Sequence, residues 1–186
     1  MYRREIVHSD LQGNNGTMRG DASKLREFCE QLANKHRLDQ IVFLCIGTDR
    51  STGDALGPLV GSALAEKGCP HVVGTLESPC DSNNLTLRLQ NVPADKVLIA
   101  IDACLGHPLN VGQYLIAEGS IQPAESVGTE LPAVGDYSIA AIVNENGVKP
   151  YWTLQTTSLY SVMRMAREIV ESITSAFHKD GCNPKS

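Results

Sequence analysis

An α/β fold, with three layers around a mostly parallel central sheet, is predicted by three features of this 186-residue chain. Two apolar runs without alternation, 41–46 and 97–101, have the character of strands buried on both faces. Around them lie segments whose apolar residues recur at three and four, the mark of a helix with one buried face. Strand-like and helical segments alternate, which is the pattern of helices packed on both sides of a sheet.

Taken in order, residues 1–20 hold Gly13, Asn14, Asn15, Gly16 and Gly20 with little periodicity and are expected to form a flexible arm. A single domain is expected over 21–179, and 180–186 is expected to be a fraying tail. Leu25, Phe28, Cys29 and Leu32 mark one helical face, with Asp21 or Ser23 as cap. The run Ile41-Val42-Phe43-Leu44-Cys45-Ile46 is a strand ended by Gly47. Leu56, Leu59, Val60, Ala63 and Leu64 then give a helix that Gly68 ends.

Residues 71–76 read as a short strand, and Leu85, Leu89 and Val92 as a helix capped by Asp81, Ser82 or Asn83 and ended by Pro93. The second apolar run ends at Asp102, and a further strand is expected over 113–117. Gly119, Pro123, Gly128, Pro132 and Gly135 make 119–136 a long loop, of a length that carries function in compact domains. Residues 139–143 and 151–155 read as strands around the turn 144–147. The last helix starts at Thr157 or Ser158 and presents Leu159, Val162, Met163, Ala166, Ile169, Ile173 and Phe177. Tyr160, Met163 and Met165 offer a homodimer face, although ordinary core is the favoured reading of them.

Composition narrows the function. Hydrophobic residues make up 42% of the chain, enough for a core, and the formal net charge is −5. A general nucleic-acid binder would show a basic face, so nucleic acid is not an expected partner. No apolar run approaches the ~20 residues that cross a bilayer, and the polar start lacks a secretion signal, so a cytoplasmic protein with no membrane partner is expected. The six cysteines include no C-x-x-C pair, and in a reducing compartment they read as free thiols.

Chemistry concentrates after the two central strands. The first leads into Gly47-Thr48-Asp49-Arg50-Ser51-Thr52-Gly53-Asp54-Ala55-Leu56-Gly57-Pro58, and the second into Asp102-Ala103-Cys104-Leu105-Gly106. Open α/β sheets place their sites beyond the carboxyl ends of strands. If these strands are neighbours, Asp54 and Asp102 face each other across a cleft. Two close carboxyls cannot easily both ionise, so they share a proton. The ionised member can take a proton from water while the protonated member polarises a carbonyl. The plainer readings are that Asp54 caps a helix and Asp102 satisfies loop amides. Asp49 is a third candidate in the same loop, or a partner for Arg50.

Other chemistries are less well supported. The glycine loop has neither G-x-G-x-x-G nor a P-loop lysine, which argues against a nucleotide. Cys80, Asp102, Cys104 and His107 form one ragged set rather than paired metal motifs, so neither a metal nor another cofactor is expected. A Cys104 nucleophile with His107 as base is conceivable but nothing else in the sequence supports it.

The segments Thr52-Gly53-Asp54-Ala55-Leu56-Gly57-Pro58 and Ala100-Ile101-Asp102-Ala103 resemble the sporulation protein YyaC family of endospore-forming bacteria, over roughly residues 40–178. That family is similar to the spore germination protease, and both resemble the hydrogenase-maturation protease fold, a phosphorylase/hydrolase-like α/β sandwich. Leu131-Pro132-Ala133-Val134-Gly135-Asp136 is a weaker match to a glycine-rich segment of the germination protease. The resemblance implies that Asp54 and Asp102 are a catalytic pair and places the protein in a sporulating cell or spore interior. It also implies small acid-soluble spore proteins as substrates. Asp49, Gly53, Gly57 and Asp136 are the expected binding positions, the two glycines by letting backbone approach a peptide closely. The later histidine that holds nickel in hydrogenase-maturation proteases has no evident counterpart, since His107 is followed by no histidine until His178. The long insertions and the propeptide of the germination protease have no obvious counterpart in this sequence.

The leading expectation is therefore a sporulation-associated endopeptidase-like hydrolase that activates water with an aspartate pair, the loop 119–136 walling the cleft. The alternative is a non-catalytic sporulation protein that binds a peptide or protein partner in the same cleft.

Overall fold

The structure, a computed structural model, describes residues 16–123 and 131–180. Six strands form one sheet: β1 (Met18–Gly20), β2 (Ile41–Cys45), β3 (Val72–Val73), β4 (Val97–Gly106), β5 (Tyr114–Glu118) and β6 (Tyr137–Glu145). Their spatial order is β1-β5-β6-β4-β2-β3. The β3–β2–β4–β6 block is parallel, and β5 and β1 add an antiparallel edge. Five helices accompany the sheet: α1 (Ala22–Lys35), α2 (Leu56–Glu66), α3 (Leu85–Gln90), α4 (Pro150–Gln155) and α5 (Leu159–Ala176).

The two central strands are buried as their composition requires, β2 along its whole length. Alternation along them sorts two cores. Phe43, Cys45, Ile99, Ile101, Ile139 and Ala141 face α1, α2 and α5, meeting Leu25, Phe28, Val60, Leu64, Met165 and Ile169. The opposite face carries a smaller cluster of Leu44, Ile46, Cys80, Leu85, Ala100 and Val134. One short helix, α3, and the ends of the loop between β5 and β6 cover this second face. The predicted three-layer α/β architecture is therefore present, with one thick outer layer and one thin one.

Local chemistry sets the ends. Asp21 caps α1, its carboxylate accepting from the Ser23 and Lys24 amides at 2.9 and 3.2 Å. Ser158 caps α5 through the Ser161 amide.

Several expectations change. Residues 18–20, expected within the arm, form β1 against β5, whereas residues 1–15 lie outside the described set. Asp180 belongs to the domain rather than the tail, because its carboxylate accepts the Leu38 amide at 3.0 Å. Residues 124–130 and 181–186 also lie outside the described set. The strand expected over 71–76 shortens to two residues before Gly74, which takes φ +93°. Asn84, not Asp81, Ser82 or Asn83, holds the cap position of α3, while the Asp81 carboxylate takes the Asn83 amide at 2.9 Å. Residues 151–155 are helical, with Pro150 in the first turn and Leu154 as the buried anchor. On α5, Leu159 and Met163 are exposed and Met165 is core, so the buried stripe is Val162, Met165, Ala166, Ile169, Val170 and Ile173.

Candidate active site

Asp54 and Asp102 reach the same region by different routes. Cys45 pairs with Ile101, so β2 ends where β4 still has five residues to run. Ile46 prolongs β2 by bridging Cys80, and its amide bonds the Ile101 carbonyl at 2.8 Å. Gly47 then turns the chain into the loop that carries Asp54. That loop is tied by its own backbone: the Thr48 amide donates to the Asp54 carbonyl at 3.2 Å and the Ala55 amide to the Ser51 carbonyl at 2.9 Å. The Gly53 amide donates to the Leu154 carbonyl at 2.8 Å, which fastens the loop to α4.

Asp102 does not end its strand. It sits within β4 opposite Ala140 of β6, because β6 continues to pair with β4 after β2 has stopped. Its side chain follows Ala100 onto the thin face of the sheet. It is 8% exposed, and its carboxylate accepts the Ala103 amide at 2.8 Å. Burial pushes its carboxyl up to about 8, the Ala103 amide opposes this, and the charge of Asp54 raises it further. Asp54 therefore lies near enough for its charge to act on Asp102.

Asp54 is half-buried, and burial raises its carboxyl above the ordinary aspartate value. The nearby Ser51 hydroxyl opposes that rise. Ser51 is 5% exposed, and its Oγ has no partner at full hydrogen-bond geometry among the described residues. Asp54 does not cap α2: Ala55 occupies the cap position, without a side-chain bond. A buried serine in a polar run has no distinguishing sequence mark, and Ser51 was not anticipated.

The remaining predicted positions divide. Asp49 is exposed in the Asp54 loop. Arg50 pairs not with Asp49 but with Asp81, at 2.9 Å. Asp136 lies at the amino end of the sheet, accepting the Leu98 amide through Oδ2 and donating its own amide to the Leu98 carbonyl, both at 2.8 Å. Four strand residues, about 13 Å, separate Leu98 from Asp102, so Asp136 pins β6 to β4 and is no part of the site.

Gly53 and Gly57 are not approach points for a peptide, because the protein itself fills the space. A Cβ on Gly53 would lie 2.8 Å from Leu154 Cδ2, and one on Gly57 would lie 2.0 Å from the Ile46 carbonyl oxygen. The loop 119–136 closes at Ile121 and Val134, and Val134 packs in the thin-face cluster with Ala100, two residues before Asp102. Its central part lies outside the described residues.

The Cys104 and Cys80 thiols stay protonated at neutral pH. Burial and the Asp102 charge push Cys104 up to about 12. Burial pushes Cys80 up to about 11, with Arg88 opposing and Asp81 and Asp102 adding. His107 is exposed, its Nδ1 accepting the Leu109 amide at 3.3 Å. A Cys104 thiolate with His107 as base is thus not supported. Among the described residues no three His, Cys, Asp or Glu side chains are placed to hold a metal ion together. No described helix is long and apolar enough to cross a membrane.

This architecture is that of the hydrogenase maturation proteases. The [NiFe] hydrogenase maturation protease HycI from Thermococcus kodakarensis KOD1 superposes with a TM-score of 0.50 at 20% identity, over 75% of this chain and 92% of that one. HybD from Thermococcus kodakarensis, also a [NiFe] hydrogenase maturation protease, gives a TM-score of 0.47 at 16% identity, over 71% and 95% of the two chains. The chain belongs to the family described as protein of unknown function (DUF1256), whose profile matches residues 18–172. An uncharacterized protein of Bacillus subtilis (strain 168), YyaC, is 42% identical over 139 residues, spanning 72% of this chain and 68% of its own length.

Proposed function

We propose that this protein is a hydrolase of polypeptides in which Asp54 and Asp102 activate a water molecule. The observation that carries the reading is Asp102: a carboxyl pushed up to about 8 inside the sheet, interacting with a second carboxyl at the carboxyl end of β2. Asp102, the more deeply buried of the two, is the protonated member in this mechanism, and Asp54 serves as the ionised one. Asp54 takes a proton from the water as its oxygen attacks the peptide carbonyl carbon. Asp102 gives its proton to the carbonyl oxygen, which stabilises the tetrahedral intermediate. When the C–N bond breaks, the amine leaves with the proton held by Asp54, and the oxygen returns its proton to Asp102.

The fold shared with the hydrogenase maturation protease HycI supports this reading as analogy only, since a fold hosts many functions. The sequence resemblance extends the proposal to a sporulating cell, with small acid-soluble spore proteins as candidate substrates. The test is incubation of the purified chain with those proteins. Asp54→Asn and Asp102→Asn are each expected to slow cleavage by about 10²–10⁴ while circular dichroism stays unchanged. A wild type that cleaves nothing, while both variants retain partner binding, would sink the hydrolase and leave a binding protein.

A further inference from the structure

We propose that the cleft beyond the end of β3 is a binding subsite for a small oxoanion, with the guanidinium of Arg88 as its positive charge. The cleft measures about 180 Å³ and is lined by Gly74, Thr75, Ser78, Arg88 and Asn91 among others. Arg88 is half-buried on α3 and forms no ion pair among the described residues. Its Nη2 donates to the Ser78 hydroxyl, which leaves further guanidinium N–H groups for another acceptor.

The neighbouring acids are otherwise placed. Asp81 is held by Arg50 at 2.9 Å and by the Asn83 amide at 2.9 Å. Glu77, on the turn after β3, is exposed and not paired with Arg88. The hydroxyls add donors: Ser78 Oγ accepts from Arg88 and Thr75 Oγ1 accepts from the Ser78 amide at 3.1 Å, so each keeps its own proton to give. A cation fork with two hydroxyl donors and no opposing acid matches a carboxylate or phosphate, and a planar guanidinium can hold either through two bonds.

The subsite lies on the same face of the sheet as Asp102: Cys80, two residues past Ser78, packs in one cluster with Ala100, two residues before Asp102. An acidic side chain of a polypeptide crossing the pair would reach it, as would a free oxoanion. The inference does not depend on cleavage: the double variant Asp54→Asn, Asp102→Asn is expected to keep saturable binding no weaker than that of wild type, since it removes negative charge near an anion.

The test is calorimetric titration of the full chain with inorganic phosphate and, separately, with N-acetylglutamate. Saturable binding of at least one probe is expected. It should weaken about tenfold or more in Arg88→Gln, the loss of a charge-assisted bond. Arg88→Lys should recover part of it as a point charge, and Arg167→Gln on α5 should change nothing. Tighter phosphate binding marks a free oxoanion as the source, and tighter N-acetylglutamate binding marks a peptide side chain. Should Arg88→Gln fail to fold, Ser78→Ala replaces it, with a severalfold loss expected. Neither probe binding wild type, or binding untouched by every cleft variant, overturns the subsite.

Discussion

In the proposed mechanism Asp102 ties stability to function through one proton. Its carboxyl titrates at about 8 in the folded chain against an ordinary value of 3.8. Between those two values the unfolded chain has lost the proton and the native chain has kept it. The native state then binds more protons, so this group makes stability fall as pH rises from about 4 to about 8, and the fall levels off above that. Each pKa unit of difference is worth about 1.4 kcal/mol. Asp102→Asn is therefore expected to be more stable than wild type at neutral pH. In urea titrations the gap should widen with pH and level off near 8; a gap independent of pH would contradict the protonated carboxyl. In the proposed hydrolysis the same proton sets the pH dependence of the rate. Cleavage should decline above about pH 8, as Asp102 ionises, and below the pKa of Asp54, which burial lifts above the ordinary range. Ser51 opposes that lift, so Ser51→Ala should move the acid limb of the profile to higher pH and leave the alkaline limb in place.

At the level of elements, α2 and α4 aim the Asp54 loop, and both do so through glycine contacts. Alanine in place of a helical glycine ordinarily gains about 1 kcal/mol. At Gly57 the sign reverses, because the new Cβ would meet the Ile46 carbonyl at 2.0 Å and only backbone movement could relieve it. Gly57→Ala is expected to lose on the order of 1–3 kcal/mol in chemical denaturation. Why some elements were legible and others were not follows from what each strand touches. β2 announces itself because both its faces are covered, which demands an uninterrupted apolar run. β4 carries the same signal only to Ile101, since beyond it the thin-face positions hold Asp102 and Cys104, whose polarity reads as a strand end. Pairing with β6, a contact remote in sequence, keeps the strand going to Gly106. In α4 the residues Tyr151, Trp152 and Thr153 favour a strand by propensity, yet Pro150 opens a helix and Leu154 alone is buried. Asp54 and Asp102 were legible as candidates because two central strands lead to them; Ser51 and Arg88 were not, because their burial depends on contacts the sequence does not display.

Across the whole molecule the two faces of the sheet are unequal, and the site lies on the thinner one. Helices α1, α2 and α5, with Leu154 of α4, bury the face built on Phe43, Ile99, Ile101 and Ile139, and α5 contributes Val162, Met165, Ala166, Ile169, Val170 and Ile173. The other face relies on Leu85 of a six-residue helix, on Cys80 and on Val134. At its edge, β3 pairs with β2 through only two residues. Local opening free energy scales with the buried apolar contact that must be broken, so the segment from β3 through α3 should open before the global transition. Hydrogen exchange followed by mass spectrometry is expected to show slow amides in β2, β4, β6 and α5, and amides exchanging at least tenfold faster over 72–92. Saturating oxoanion should slow exchange in 72–92 preferentially, because a ligand stabilises most the segment whose opening destroys its site. Uniform protection across the sheet and all five helices would instead mean that the thin face is held as firmly as the thick one, and that the segment beside the aspartate pair has no independent freedom to admit a substrate.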